Sequence, residues 1–130
     1  MCIRDRIVRG ICCLIPTQHK NIKIISIIDR FLEHTRIFIF NNNKKNETYI
    51  SSADWMTRNL DNRVEVTCPI HDYKIKKEIN DIFNIYWSDN VKSRLINQKD
   101  ANVYKSDIKK SNSIRSQLEI YNYYKSKIEN

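Results

Sequence analysis

The chain has 130 residues, which allows one domain or a piece of a larger one. Lys and Arg number 23 against 15 Asp and Glu, so the formal net charge of +8 favours an anionic partner such as a nucleic acid, a nucleotide or a polyanion. Hydrophobic residues make up 41% of the chain and charged residues 29%, a balance that argues against wholesale disorder. The lack of any apolar run of about 18 residues predicts no transmembrane segment. The single glycine excludes glycine-rich phosphate-binding loops.

The first half of the chain carries short runs of β-branched and aromatic residues, which predict strands. These runs lie at Ile7–Leu14, Lys23–Asp29, Arg36–Phe40, Thr48–Ser51 and Arg63–Pro69. One helical turn is expected over Arg30–His34, between the second and third strands. The polar stretch Asn41–Asn46 is typical of a hairpin loop.

From Asp72 onward the apolar residues recur every three or four positions, which predicts amphipathic helices. Asp72 is the expected N-cap of the first of these helices. A short helix is predicted over Val91–Ile96, a loop over Asn97–Ser111 and a last helix over Ile114–Ile128. Asn112 and Ser113 are the two candidate caps of this last helix. Strands followed by helices predict an α/β or α+β fold.

His34 and Arg9 are the first candidate functional residues. A histidine beside Arg36 can exchange a proton near neutral pH, although the local sequence alone favours a surface histidine at a strand start. Arg9 stands in the apolar run I-V-R-G-I-C-C-L, where a charge needs a partner. That partner is either a phosphate group or a carboxylate such as Asp29 or Asp54.

A third candidate is the segment Tyr49–Asp61, in which two hydroxyls, a carboxylate and an arginine follow a predicted strand. Ser51 and Ser52 could hold phosphoryl oxygens, and Asp54 could orient a histidine. The alternative is a turn in which Asp54 caps the next helical turn. The cysteines and histidines show no metal-binding spacing, so no metal site is predicted. The lysines of the second half are either a solvated helix face or a polyanion surface.

Three segments together resemble the C-terminal part of bacterial polyphosphate kinase, in the same order and with similar spacing. They read I-V-R-G-I-C-C-L at 7–14, S-I-I-D-R-F-L-E-H-T-R-I-F-I-F at 26–40 and Y-I-S-S-A-D-W-M-T-R-N-L-D-N-R-V-E-V at 49–66. A weaker similarity continues through 88–96 and 117–125, so the resemblance covers roughly residues 7–128.

The resemblance implies an α/β phospholipase-D-like domain, a β-sheet flanked by helices, which is the second of two such domains in these kinases. It implies an enzyme that reversibly transfers the terminal phosphate of ATP to polyphosphate, with magnesium and through a phosphohistidine. The segments at 34–36 and 51–54 are similar to the His-x-Lys and Gly-Ser-x-Asn patterns of phospholipase D. What the resemblance implies for single residues is that Arg9, His34 and Arg36 bind the ATP phosphates, that His34 is catalytic, and that Ser51, Ser52 and Asp54 support them.

Departures from the family pattern set further expectations. The phosphorylated histidine belongs to the preceding domain, so this chain is expected to be an inactive fragment whose partners are ATP, polyphosphate and the upstream domains of the same enzyme. Residues 1–6 match nothing in the family and are expected to be a non-native leader before a domain at 7–130. Asn42 and Asn43 replace family glycines, so a positive φ is expected at an asparagine.

The full-length enzyme is expected to form a homo-oligomer in the cytoplasm or at the membrane periphery. Two other functions remain open. A phospholipase-D-like phosphodiesterase or nuclease would need a lysine at position 36 and an asparagine at position 54. A non-catalytic module that binds nucleic acid or another polyanion is supported by the charge and the aromatic residues.

Overall fold

The computed structural model describes residues 4–8, 22–43, 45–96, 103–105 and 112–129. The strands are β1 (Arg4–Val8), β2 (Ile22–Ile27), β3 (Ile37–Asn42), β4 (Lys45–Ser51), β5 (Thr67–Ile70), β6 (Ser93–Leu95) and β7 (Val103–Tyr104). The helices are α1 (Thr57–Leu60), α2 (Tyr73–Ser88) and α3 (Ser116–Ile128). The mixed α/β class is confirmed, with most strands in the first half. The chain divides into one unit of residues 1–33 and 84–130 and another of residues 34–83.

The first unit contains a four-stranded sheet in the order β1-β2-β6-β7. β1 is parallel to β2, and the other two pairings are antiparallel. Residues 24–27 of β2 are all buried, as is usual for an inner strand that is covered on both faces. The strand predicted over Ile7–Leu14 is described only to Val8, and Arg9–Leu14 lies outside the described residues. Residues 4–6, expected in a leader, pair with β2.

The second unit contains a three-stranded antiparallel sheet in the order β3-β4-β5. The predicted hairpin is confirmed, but its turn is tighter than the six residues expected, because Asn42 still pairs with Lys45. Asn43 has a φ of 47°, so the expectation of a positive φ at an asparagine is also confirmed. The strand predicted from Arg63 begins only at Thr67.

The helical turn predicted over Arg30–His34 is wrong, because this segment is an irregular connection. Three backbone groups at its start, in Arg30 and Phe31, are bound by side chains. The Arg30 N–H donates to Oδ1 of Asp29 at 2.7 Å. Both backbone groups of Phe31 are bound by Gln117, at 3.2 and 2.9 Å. Side chains that satisfy the backbone in this way compete with a helix.

The helix predicted over Val91–Ile96 is also wrong, because Ser93–Leu95 form strand β6. Leu95 pairs with Ile25, and Ser93 pairs with Ile27. A buried strand such as β2 needs partners for its backbone groups on both edges, and this need outweighs the weak helical preference of a six-residue segment. The loop predicted over Asn97–Ser111 contains the short strand β7, while 97–102 and 106–111 lie outside the described residues.

Asp89 follows α2 and is fully buried. Its Oδ1 accepts the N–H groups of Val91, Lys92 and Ser93 at 3.0, 2.7 and 3.0 Å, and its Oδ2 accepts the N–H and the hydroxyl of Ser116 at 2.8 and 2.7 Å. Burial opposes ionisation, but these hydrogen bonds outweigh it and lower the pKa of Asp89. The carboxylate thereby joins the start of β6 to the first turn of α3.

The two long helices begin differently. Asp72 is confirmed as the N-cap of α2, since its Oδ1 accepts the Ile75 N–H at 3.0 Å. The last helix is confirmed too, but neither Asn112 nor Ser113 caps it: the N-cap is Arg115, which makes no side-chain cap hydrogen bond. The buried carboxylate of Asp89 binds the Ser116 N–H instead.

Candidate functional site

The second unit places the His34–Arg36 segment directly before β3. The Ser51 N–H donates to the Arg36 carbonyl at 3.0 Å, which extends the β3–β4 pairing by one residue. The ends of the two strands therefore bring the predicted His-x-Arg segment beside the predicted Ser-Ser-x-Asp segment. His34 is exposed, whereas Arg36 is partly buried.

Arg36 and Asp54 form an ion pair at this strand end. The Arg36 Nε donates to Asp54 Oδ1 at 2.8 Å, and the two side chains are 15% and 16% exposed. The hydrogen bond that Arg36 donates to Asp54 raises the pKa of the Arg36 guanidinium above its usual value. Asp54 does not cap helix α1, whose N-cap is Met56. The sequence had left open whether Asp54 orients a histidine or caps a helical turn; the cap is not observed, and Asp54 pairs with Arg36.

The two terminal nitrogens of the same guanidinium contact the imidazole of His34. Arg36 Nη1 lies 3.3 Å from His34 Nδ1, and Arg36 Nη2 lies 3.1 Å from His34 Nε2. A guanidinium only donates and a neutral imidazole has one acceptor nitrogen, so one of these contacts is a hydrogen bond at a time. Asp54 and His34 therefore contact the same guanidinium, that of Arg36.

Ser51 and Ser52 tie this turn to the segment before β5. Ser51 Oγ accepts the Ala53 N–H at 3.1 Å and lies 2.9 Å from the hydroxyl of Thr67. Ser52 Oγ accepts the Val66 N–H at 3.0 Å and donates to Glu65 Oε2. Both hydroxyls are thus used within the protein, which suits the supporting role expected of them.

Glu65 and Asn59 extend the cluster of side chains formed by His34, Arg36, Ser51, Ser52 and Asp54, and the sequence did not identify them. The Asn59 side chain is buried and donates to Glu65 Oε1 at 2.7 Å. The hydrogen bonds from Ser52 and then Asn59 lower the pKa of the Glu65 carboxyl. Val64 and Val66 are 100% and 66% exposed, whereas the glutamate between them binds Ser52 and Asn59. An acid at the centre of an alternating apolar run was the available signal.

Arg9, the remaining predicted site residue, lies outside the described residues. Cys68 is a free, exposed cysteine. Within the described ranges, no group of three or more His, Cys, Asp or Glu side chains could hold a metal ion. Among the same residues, no helix is both long enough and apolar enough to cross a membrane.

Comparison with known proteins gives consistent matches. The sequence model described as "Polyphosphate kinase C-terminal domain 2" matches residues 4–117. The chain is 49% identical over 126 residues to a polyphosphate kinase of Vibrio parahaemolyticus, and 48% and 46% identical over 125 residues to those of Klebsiella pneumoniae and Escherichia coli K12. These alignments cover 92–93% of the chain but 18% of each relative, so the chain spans less than a fifth of their length.

A solved structure is similar over nearly the whole chain. The crystal structure of a polyphosphate kinase from Porphyromonas gingivalis has a TM-score of 0.90 and 46% sequence identity. The match covers 96% of this chain and 19% of that chain. Both kinds of match therefore cover nearly all of this chain and less than a fifth of the longer proteins.

Proposed function

This chain belongs to the polyphosphate kinase C-terminal domain 2 family, and from that membership we propose that it is the C-terminal portion of an ATP–polyphosphate phosphotransferase. The observation that carries the proposal is the contact of one guanidinium, that of Arg36, with both Asp54 and His34. It places a fixed positive charge beside an exposed imidazole at a strand end. Phosphoryl transfer needs such a charge on the oxygens of the transferred group and a proton donor or acceptor near the bridging oxygen.

Each site residue predicted from the sequence takes one role in this proposal. Arg36 holds the phosphate oxygens of ATP with its Nη donors, while its Nε stays on Asp54. His34 exchanges a proton with the oxygen that bridges to the transferred phosphate. Ser51 and Ser52 hold the turn that carries Asp54, and Arg9 supplies a further positive charge. A guanidinium is suited to this work because its planar fork of donors matches two phosphate oxygens.

The full reaction needs a nucleophile from outside this chain. We propose that a histidine in the preceding domain attacks the terminal phosphorus of ATP, so that a P–N bond forms, the P–O bond to ADP breaks and ADP leaves. The end oxygen of polyphosphate then takes the phosphoryl group from that histidine. The complete enzyme is a cytoplasmic homo-oligomer or lies at the membrane periphery, and this chain alone is inactive.

Magnesium does not fit a site built from the described residues. Asp54 is engaged by Arg36, and Glu65 by Ser52 and Asn59. Within the described ranges there is no cluster of three candidate ligands. In the proposed reaction magnesium therefore accompanies ATP and is held by the phosphates and by other parts of the enzyme.

A chimera tests the proposal directly. Residues 4–128 of this chain, which include the whole of α3, replace the corresponding segment of the Vibrio parahaemolyticus polyphosphate kinase, and ATP-dependent polyphosphate synthesis is measured. We expect an active chimera in which His34→Ala lowers kcat by about 100-fold or more. The matched control is His71→Ala, a histidine that is also exposed but lies outside the cluster, and it should leave kcat unchanged. A fully active His34→Ala chimera would overturn the proposal.

The phosphodiesterase alternative is weakened by the same ion pair. Asp54 is bound to Arg36, whereas the phosphodiesterase pattern has an asparagine at position 54 and a lysine at position 36. Hydrolysis of a phosphodiester substrate by the chimera, with no polyphosphate made from ATP, would favour that alternative.

A further inference from the structure

Gln117, in the first turn of α3, binds the backbone of the segment that leads to His34. Its Oε1 accepts the Phe31 N–H at 3.2 Å, and its Nε2 donates to the Phe31 carbonyl at 2.9 Å. The same Nε2 donates to Glu33 Oε1 at 2.7 Å. One carboxamide therefore satisfies both backbone groups of one residue and the side chain of the residue that precedes the histidine.

The other end of this segment is held from the same helix terminus. Arg115 donates from Nε to Asp29 Oδ2 at 2.8 Å and from Nη2 to Asp29 Oδ1 at 2.6 Å. The Asp29 side chain is 2% exposed, and a two-bond pair of this kind fixes direction as well as distance. Residues 29–33 are thus attached to α3 at both ends.

Apolar packing contributes little to holding this segment. Phe31 is 65% exposed and Leu32 is 76% exposed. Both line an open cavity of about 200 Å³ together with Gln117 and Ile120. Because these apolar side chains remain largely in water, the polar contacts of Gln117 and Arg115 decide the course of the segment.

We propose that Gln117 is a positioning residue for His34: by holding Phe31 and Glu33, it sets the point at which the backbone of the histidine begins. This inference rests on the proposed function of His34. Gln117 itself touches no reacting atom, and it acts through the two residues that it binds. A displacement of about 1 Å at a reacting group can lower a rate by about 100-fold, so a contact of this kind has a measurable effect on turnover.

The test uses the chimera and two backgrounds. Gln117→Met keeps a similar length but removes every hydrogen bond of the carboxamide. Asn122→Met, at an exposed position of the same helix, is the matched control. Each change is made with His34 present and with His34→Ala, and kcat, the KM for ATP and the unfolding temperature are measured.

We expect Gln117→Met to lower kcat by about 10- to 100-fold with His34 present, to change the KM for ATP much less, and to lower kcat by less than about 2-fold when His34 is already alanine. Asn122→Met should leave both kcat and the KM for ATP unchanged. A kcat equal to that of the unmodified chimera, or the same fractional loss in both backgrounds, would overturn the inference while leaving the proposed function intact. A fully active His34→Ala chimera would overturn the proposed function and this inference with it.

Gln117→Glu covers the case in which the methionine variant fails to fold. It has the same shape and keeps an acceptor for the Phe31 N–H, but it places a carboxylate oxygen against the Phe31 carbonyl and against Glu33. Its kcat should fall as far as that of Gln117→Met. A folded Gln117→Glu chimera with unchanged kcat would overturn the inference.

Discussion

The Nε of Arg36 donates to Oδ1 of Asp54 at 2.8 Å, across a sequence separation of 18 residues. Both side chains are about one-sixth exposed, so the pair is shielded from water more than a surface ion pair is. The carboxylate fixes the plane of the guanidinium, whose remaining nitrogens face His34. This ion pair sets the geometry of the proposed site. Substituting Arg36 is therefore the sharpest test of the roles proposed for these residues.

Arg36→Lys should be nearly as damaging as Arg36→Ala in the chimera. A lysine keeps the charge but not the fork, so it cannot bind Asp54 and phosphate oxygens at the same time. We expect kcat to fall by about 100-fold or more in both variants, as for the loss of one oriented donor to a transition state. Arg58→Lys, at an exposed position of α1, is the control and should remain active. Full activity of the Arg36→Lys chimera would remove Arg36 from the site.

The chain by itself should not make polyphosphate from ATP. The proposed covalent transfer begins at a histidine of the preceding domain, and without that nucleophile no phosphoenzyme forms. The measurement is ATP-dependent polyphosphate synthesis by the purified 130-residue chain, with the chimera as the positive control. Synthesis by the chain alone would show that its own residues contain the nucleophile.

Binding of polyphosphate to the chain should weaken steeply as salt is added. Each contact between a phosphate and an arginine or lysine releases counterions, so the logarithm of the affinity falls with the logarithm of the salt concentration. The net charge of +8 provides the basic groups for such contacts. Binding is measured at two salt concentrations, with single-stranded DNA as a comparison ligand. Equal affinity at both concentrations would mean that the basic residues are not used to bind anions.

Asp89→Asn should destabilise the chain, by at least about 2 kcal/mol at pH 7, because the amide offers one acceptor oxygen where the carboxylate offers two to buried donors. Urea unfolding of the purified chain measures this loss. Asp61→Asn, at an exposed position, should have little effect. An unchanged unfolding midpoint in Asp89→Asn would mean that the buried carboxylate does not contribute to stability.

The stability that Asp89 contributes should depend on pH. The pKa of Asp89 is lower in the folded chain than its usual value. Its stabilising effect is therefore fully present above the unfolded pKa of about 3.9 and is lost as the pH falls through the folded pKa. The difference in stability between the chain and Asp89→Asn should shrink as the pH is lowered through this range. A difference that stays constant as the carboxyl becomes protonated would argue against an ionised Asp89 in the fold.

Local signals in the sequence were sufficient wherever the structure depends on residues a few positions apart. Asp72 binds an N–H three residues ahead, and the tight turn after β3 needs a positive φ that asparagine tolerates. The periodicity that predicted α2 and α3 likewise repeats within one or two helical turns. The same holds for the two short motifs that meet at the candidate site, since each lies within four residues of sequence.

What only the tertiary structure decided are the partners that lie far apart along the chain. Asp29 binds Arg115 and Phe31 binds Gln117, each across 86 residues of sequence. These contacts replaced the helical turn that the local sequence favoured. β6 became a strand because the edge of buried β2 required a partner. No pattern over a few residues records which distant side chain or strand will satisfy a buried polar group, because that choice depends on how the whole chain packs.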